Sequence, residues 1–284
     1  MAQKQGYIGI DIGGTKMLGV LWDGNKVHTE FLLATPQDSL EHFLIMLYAL
    51  IDPLLQKAQE TKLKVGGIGI GIAGIVDPVR QIINHSPNLS FAAKVDFAAQ
   101  IKNRYHLPLK IDNDANCFLR AETKGGAAKG LDNVYGIIIG TGIGGAWWQG
   151  GKIYQGFSFN AGEPGALIVD WKSGEELEPT YHHLGGKDIR RLAQDFYQGK
   201  PEARRALRQI GQLTGVLLAD IITLINPQAI VLGGGATNVA ELFLPDAKQF
   251  LKQKIRTKQT AKTKIMLSKF KKQAGAIGAA LLYA

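Results

Sequence analysis

Alternating apolar positions at the start of the chain predict a buried β-strand. In YIGIDIGGTK, residues 7–16, apolar residues alternate at Ile8, Ile10 and Ile12 before the chain reaches two glycines. Residues 16–35 predict two more strands, joined by a turn at 23–25. Residues 38–61 have the apolar spacing of a helix, with Asp38 or Ser39 as its N-cap. The N-terminal part of the chain therefore predicts three strands followed by a helix.

The rest of the chain also alternates between glycine-rich apolar strands and amphipathic helices. Residues 65–78 predict a buried strand whose glycines indicate close backbone packing. Residues 109–111 predict a strand that runs into a helix near Ala115. A long helix carries apolar side chains on one face from Leu207 to Leu224 and ends at 226–227, an Asn-Pro pair. Strands that alternate with helices are typical of an α/β fold.

Two segments, residues 7–26 and 135–152, share one plan. Each has an apolar strand, a Gly/Thr turn, a returning strand with tryptophan and a polar-glycine hairpin that ends in lysine. This repeat predicts two similar α/β domains, each with a glycine turn. We expect Gly13 and Gly14 to adopt positive φ, so that successive backbone N–H groups of the turn can bind an anion. Two such turns facing one cleft would hold a single nucleotide.

Composition narrows the class of protein. The 284 residues are 45% hydrophobic and 20% charged, as is ordinary for a globular protein. The longest apolar run, residues 43–51, is too short for a bilayer, and the N-terminus has no targeting pattern. A single cysteine, Cys117, excludes an intramolecular disulfide and indicates a reducing compartment. We therefore expect a cytoplasmic protein with no membrane partner.

The net charge of +9 comes from one segment. Residues 248–272 contain ten Lys or Arg residues and no Asp or Glu. Aromatic residues are sparse there, so no stacking platform for nucleic acid is present, and we expect no nucleic-acid partner. The segment is either a solvated helix face and loop or a surface that attracts a polyanionic ligand.

Seven short motifs occur in a fixed order along the chain. They are DIGGTK (11–16), GIGIAGIVD (69–77), SPNL (86–89), IDNDAN (111–116), GTGIGG (140–145), AGEPG (161–165) and NPQAIVLGGG (226–235). Together they resemble the ROK family of sugar kinases and related repressors, within the actin/hexokinase-like superfamily. The resemblance covers nearly the whole chain and implies two α/β domains flanking a nucleotide and sugar cleft. We expect a small domain from residues 1–111 plus a C-terminal helix at 273–284, and a larger domain from residues 112–272.

The resemblance also implies roles for individual residues. Asp114 would be the catalytic base for the sugar hydroxyl, although an Asp at a helix start is also expected as an N-cap. Asp11 would hold Mg²⁺ through water, because this ion keeps much of its hydration shell. The sugar-binding residues would be Gly74, Asn88, Asn113, Asp114, Glu163 and Glu178. The residues that bind the phosphates and adenosine of ATP would be Gly13, Gly14, Thr15, Lys16, Gly140, Thr141, Gly142, Gly233, Gly234 and Gly235, with Lys16 either a phosphate ligand or a solvated lysine.

Two departures from the family pattern concern zinc. Many ROK kinases have a GExGH motif and a CxCGxxGCxE cluster, but here Ala166 replaces the histidine and VDWKSGEELE, residues 169–178, lacks cysteine. We therefore expect no zinc. His182 and His183 are adjacent, so their side chains should point in different directions. Packing of Trp171 and Leu177 is expected to hold this loop instead.

The resulting hypothesis is ATP- and Mg²⁺-dependent phosphorylation of a sugar hydroxyl, with glucose or a close hexose derivative as acceptor. A β-glucoside or N-acetylhexosamine kinase is an alternative, as is a glucokinase that uses polyphosphate. A non-catalytic sugar-sensing regulator is disfavoured, because only six residues precede the first strand and a helix-turn-helix module needs dozens. The expected partners are the sugar and ATP, and a homodimer is left open.

Overall fold

The computed structural model describes residues 4–86, 89, 91, 96–255, 257 and 260–283. The chain forms two compact units. Unit 1 comprises Met1–Lys124, Gly156–Asn160 and Lys272–Ala284, and unit 2 comprises Gly125–Gln155 and Ala161–Lys271. Each unit is built on a five-stranded sheet with helices, which is the predicted α/β class.

The secondary-structure elements are numbered in chain order. The strands are β1 (Gln5–Ile12), β2 (Lys16–Trp22), β3 (Val27–Ala34), β4 (Lys64–Ile72), β5 (Ile75–Asp77), β6 (Ile82–His85), β7 (Leu109–Asn113), β8 (Asn133–Ile139), β9 (Ile143–Gln149), β10 (Lys152–Tyr154), β11 (Ile168–Asp170), β12 (Glu175–Glu176), β13 (Ala229–Gly233) and β14 (Lys264–Leu267). The helices are α1 (Leu40–Glu60), α2 (Phe97–Tyr105), α3 (Asp114–Lys124), α4 (Leu177–His183), α5 (Ile189–Tyr197), α6 (Pro201–Ile225), α7 (Leu244–Lys254) and α8 (Ala274–Ala280).

The sheet of unit 1 has the strand order β3-β2-β1-β4-β7. β1, β4 and β7 are parallel neighbours, whereas β1, β2 and β3 form an antiparallel meander. The N-cap of α1 is Ser39, whose side chain accepts a hydrogen bond from the N–H of His42. The buried face of α1 packs on the sheet and forms one core with the isoleucines of β1.

Glycines allow α8 to lie unusually close to its neighbours in unit 1. A Cβ at Gly9 of β1, Gly69 of β4 or Gly278 of α8 would overlap backbone atoms of α8 or, for Gly278, of α3. This is the close packing that the glycines of residues 65–78 predicted. The C-terminal helix therefore belongs to unit 1.

The sheet of unit 2 repeats the arrangement of unit 1, with the order β10-β9-β8-β13-β14. β8, β13 and β14 are parallel neighbours, and β8, β9 and β10 form the antiparallel part. The predicted internal repeat is therefore present in the fold. By length and composition α6 could cross a membrane. The most apolar 18-residue stretch of this helix has a mean hydropathy of 1.2, and 50% of it is buried inside the protein. Its buried face contributes to the core of unit 2.

The division between the units differs from the expected domain boundaries. Residues 112–124 were expected in the larger domain, but α3 belongs to unit 1 because it packs extensively on α8. The short segment 156–160 also belongs to unit 1.

Candidate active site

Four of the predicted site residues lie where parallel strands of unit 1 end. Asp11 lies near the end of β1, Gly74 follows β4, and Asn113 ends β7 directly before Asp114, the first residue of α3. β4 lies between β1 and β7, so these three strand ends are neighbours. Ligands of open α/β sheets bind at this edge of the sheet.

The N-cap of α3 is Asn113. Its Oδ1 accepts a hydrogen bond from the N–H of Asn116 (3.0 Å), and its Nδ2 donates to the carbonyl of Gly74 (3.0 Å). Asp114 accepts a hydrogen bond from the N–H of Ala115 (2.9 Å). The N-cap of α3 is therefore Asn113 rather than Asp114, whose carboxylate accepts from N–H groups of the first turn without standing at the cap position.

Asp11 and Asp114 form an electrostatically coupled pair of carboxylates. Burial raises the pKa of Asp11 to about 7, and the nearby charge of Asp114 adds to this effect. Burial also raises the pKa of Asp114, against the lowering effect of backbone hydrogen bonds from Ala115 and from its own N–H. α8 begins beside Asp11, since a Cβ at Gly275 would lie 2.5 Å from that carboxylate. Two adjacent carboxylates that repel each other are a donor set suited to a hard cation such as Mg²⁺.

A buried ion pair beneath this edge was not predicted from the sequence. One oxygen of the Asp112 carboxylate accepts hydrogen bonds from the N–H of Asn113 and from Asn116 Nδ2 (both 2.8 Å). Its other oxygen pairs with the guanidinium of Arg120, and the two side chains are 3% and 17% exposed. The pair joins β7 to α3 on both sides of Asn113 and Asp114. The only sequence signal was a second acidic residue, Asp112, beside Asp114 within IDNDAN.

The β1–β2 turn is shaped by hydrogen bonds rather than by left-handed glycines. Neither Gly13 nor Gly14 has a positive φ, so that expectation was wrong. The N–H of Gly13 donates to the carbonyl of Lys16 (3.0 Å), and the side chain and N–H of Thr35 donate to the carbonyls of Gly13 and Thr15. Thr15 and Lys16 are exposed, so both are accessible to a ligand.

In unit 2 the structure brings the two other predicted glycine turns together. Residues 140–142 connect β8 to β9, and Gly233 ends the neighbouring parallel strand β13, directly before Gly234 and Gly235. Gly234 has φ +85°, and a Cβ there would overlap the carbonyl of Ile139 at the end of β8. Gly140 and Gly235 both face open space. The two turns therefore share one edge of the unit 2 sheet.

The loop 161–165 packs on β9 in the same unit. The hydroxyl of Tyr135 donates to the carbonyl of Gly162 (2.9 Å), and a Cβ at Gly145 would lie 2.8 Å from Pro164. Glu163 is exposed. Burial and the charge of Glu163 together raise the pKa of the Tyr135 hydroxyl.

Glu178, in the first turn of α4, lies between this loop and the 140–142 turn. Its Oε2 accepts a hydrogen bond from the N–H of Ile143 (2.6 Å), and a Cβ at Gly165 would lie 3.3 Å from the same oxygen. The structure therefore brings Glu178 to a predicted phosphate turn and to the Glu163 loop.

A β-hairpin occupies the place of the family's zinc cluster. β11 pairs with β12, and the carboxylate of Asp170 accepts hydrogen bonds from the N–H of Lys172 and the hydroxyl of Ser173 (both 2.9 Å). Leu177 is 1% exposed and anchors the segment as expected, but Trp171 is 84% exposed, so its predicted anchoring role is wrong. Backbone pairing and an Asp-centred turn hold the hairpin, so the turn needs no apolar side chain at 171. These residues offer no thiolate and do not fit a zinc ion.

Asn88 lies outside the described residues, as do Arg256 and Lys258 of the basic segment. The described part of that segment includes the exposed Lys252 and Lys254 of α7 and Lys264 of β14. In unit 1, Lys272 forms an ion pair with Glu30.

The ROK family model matches residues 7–284. The chain belongs to the ROK family. Among ROK proteins, the N-acetyl-D-glucosamine kinase of Escherichia coli is 30% identical over 261 residues, which cover 82% of this chain and 84% of that kinase. A ROK glucokinase from Streptomyces griseus, in a crystal structure with glucose and AMPPNP, has a TM-score of 0.82 and 25% identity, with 98% of each chain covered.

The ROK fold is also found in a regulator. A ROK-family transcriptional regulator, described as a homologue of the Escherichia coli Mlc protein, has a TM-score of 0.81 with 22% identity over 98% of this chain and 78% of its own. Fold alone therefore does not distinguish a kinase from a regulator, and the residues of the site decide between them.

The pKa of Asp11 predicts how stability depends on pH without metal. Because the pKa is raised from 3.8 to about 7 by folding, the folded protein keeps a proton that the unfolded chain releases. This contribution is complete at low pH and is lost as the pH rises through 7. With chelator present, we expect the Tm of the wild type to fall more than that of Asp11→Asn between about pH 5 and about pH 8. At the higher pH, Mg²⁺ should raise the Tm of the wild type and not that of Asp11→Asn. If Tm fell equally with pH in the two proteins, the pKa of Asp11 would not be raised by folding.

The hairpin predicts that zinc is not needed for folding. Structural zinc sites supply folding energy through their ligands, and none of the family's thiolates is present here. We expect a zinc chelator to leave the Tm unchanged, as measured by differential scanning fluorimetry. Elemental analysis that finds about one zinc per chain after dialysis would contradict this expectation.

Proposed function

We propose that this protein is a sugar kinase that transfers the terminal phosphoryl group of ATP to a hydroxyl of glucose or a close hexose derivative. The observation that carries the proposal is the state of Asp114. Asn113 caps α3 in its place, so a half-buried carboxylate of raised pKa remains at the sheet edge beside Asp11. Such a carboxylate can accept the proton of a sugar hydroxyl, a step that phosphoryl transfer requires and sugar binding alone does not.

Each predicted residue has a role in this proposal. Asp114 accepts the proton of the attacking sugar hydroxyl, and Asn113 orients that hydroxyl with its amide. Glu163 and Glu178 accept hydrogen bonds from other sugar hydroxyls; Glu178 does so with the oxygen that does not bind Ile143. Gly74 and Asn88 complete the sugar-binding set.

The glycine turns bind the nucleotide in this proposal. The backbone N–H groups of residues 13–15 and 140–142 bind the phosphates, residues 233–235 bind the adenosine side, and Lys16 adds positive charge. Mg²⁺, held by Asp11 through water, would neutralise charge on the phosphates. We place this reaction in the cytoplasm, where ATP is available.

The acceptor is best tested by ADP release across a panel of sugars. We expect turnover with ATP and Mg²⁺ for glucose or a close hexose, while the 30% identity to an N-acetyl-D-glucosamine kinase makes N-acetylhexosamines the second candidate. The panel should contain glucose, mannose, both N-acetylhexosamines and β-glucosides, each with ATP and with polyphosphate as donor. Turnover with polyphosphate that falls in Lys252→Gln/Lys254→Gln would favour the polyphosphate alternative. Sugar binding without turnover on any donor would contradict the kinase proposal.

A further inference from the structure

One face of α4 holds the 140–143 turn of unit 2. Glu178, Tyr181 and His182 have the i, i+3, i+4 spacing that places side chains on one helix face. Glu178 accepts from the N–H of Ile143 (2.6 Å), the hydroxyl of Tyr181 donates to the carbonyl of Gly140 (3.2 Å), and Nε2 of His182 donates to the carbonyl of Thr141 (2.6 Å). Three side chains of a short helix thus bind three backbone groups of one turn.

These contacts determine where the other backbone groups of the turn point. In a planar trans peptide the C=O and the following N–H point in opposite directions. Because the carbonyls of Gly140 and Thr141 point towards α4, the N–H groups of Thr141 and Gly142 point away from it. Two successive N–H groups with one common direction are the geometry of an anion-binding nest. α4 therefore aims this pair at the open side of the turn.

α4 is itself firmly placed in unit 2. Leu177 and Tyr181 are each 1% exposed, and the N–H of Leu177 donates to the carbonyl of Leu167 (2.8 Å). Its side chains therefore act from a fixed support.

The two adjacent histidines of α4 differ in their contacts and in their exposure. Nδ1 of His183 pairs with Glu175 (3.0 Å), and its side chain is 77% exposed. His182 is half-buried and contacts the turn. The two histidines do not converge on one point, as their adjacency predicted.

We propose that His182, together with Tyr181, is a positioning residue that orients the N–H groups of Thr141 and Gly142 for the phosphates of the nucleotide. The inference rests on the proposed function in that the ligand of this turn is a nucleoside triphosphate. Loss of the His182 hydrogen bond frees the Thr141–Gly142 peptide to rotate, so the nest exists for only part of the time. Ligands with phosphates in the nest lose affinity, and ligands that do not reach it are unaffected.

The test compares His182→Ala with His182→Gln and His183→Ala. Affinities for AMPPNP and for AMP are measured by isothermal titration calorimetry with Mg²⁺ present. For His182→Ala we expect the affinity for AMPPNP to fall about 5-fold, the scale of one hydrogen bond, while AMP changes less than about 2-fold. His182→Gln keeps an N–H donor and should bind AMPPNP like the wild type. His183→Ala should match the wild type for both ligands.

The steady-state constants give an independent readout. In His182→Ala the KM for ATP should rise, and the KM for sugar should stay within about 2-fold of the wild type. Equal AMPPNP affinities for His182→Ala and His183→Ala would overturn the inference, as would an equal loss for AMPPNP and AMP. A wild-type protein that binds AMPPNP but phosphorylates no sugar would overturn the proposed function. The AMPPNP and AMP affinities of the His182 variants would still test the positioning role.

Discussion

Asp114→Asn is expected to reduce kcat by about 100-fold or more, the scale of removing a positioned general base. Asn has the same size and can still accept the hydrogen bond from the N–H of Ala115, so the start of α3 should persist. It cannot accept the proton of the sugar hydroxyl. Since Asn113 is the cap of α3, the loss of the Asp114 charge should not unfold the helix. We therefore expect the defect to be in kcat, with the KM for sugar changed little.

Asp77→Asn is a matched control for this variant. Asp77 is a buried aspartate of unit 1 whose Oδ1 accepts hydrogen bonds from the N–H groups of Val79 and Arg80 (both 2.9 Å), a role that Asn retains. Steady-state assays at saturating ATP and sugar should show kcat near the wild-type value for Asp77→Asn. If Asp114→Asn retained half of the wild-type kcat, Asp114 would not be the base.

Arg120→Met is expected to destabilise the protein by about 3–5 kcal/mol, because it leaves the Asp112 carboxylate buried without its partner. Asp112 also accepts hydrogen bonds from Asn113 and Asn116, so we expect the local structure to be lost first at the β7–α3 junction. Chemical denaturation followed by circular dichroism gives the free energy of unfolding, with the m-value checked for constancy. The loss is a large fraction of the total stability of a typical domain.

The double variant Arg120→Met/Asp112→Asn separates a charge effect from a packing effect. Asn removes the unpaired charge, and its Oδ1 can still accept from the N–H of Asn113 and the amide of Asn116. We expect the double variant to recover most of the stability lost in Arg120→Met, since replacing both members of a buried pair is often close to neutral. A double variant as unstable as Arg120→Met would assign the loss to the packing of the Arg120 side chain.

Local patterns in the sequence were sufficient for the elements and for the identity of most candidate site residues. Strand and helix periods depend on neighbours within a few positions, so β1 and α1 were predictable near their observed bounds, and α6 near its C-terminal end. The repeat of a strand, a glycine turn and a returning strand predicted two similar α/β domains, and the structure shows that their sheets also share one strand order. The glycines of β4 predicted a close neighbour, though the pattern could not say that the neighbour is α8.

Hydrogen-bond partners were decided by the tertiary structure. The sequence determined that Asn113 and Asp114 stand at a strand-to-helix junction, but either side chain could cap the helix, and the backbone geometry chose Asn113. Asp112 and Arg120 are eight positions apart and meet because β7 turns directly into α3. His182 is 41 positions from Thr141, and no local pattern relates them. Polar side chains have several partners within chemical reach, and only the folded arrangement determines which donor meets which acceptor; apolar periodicity is local and can be read from the chain alone.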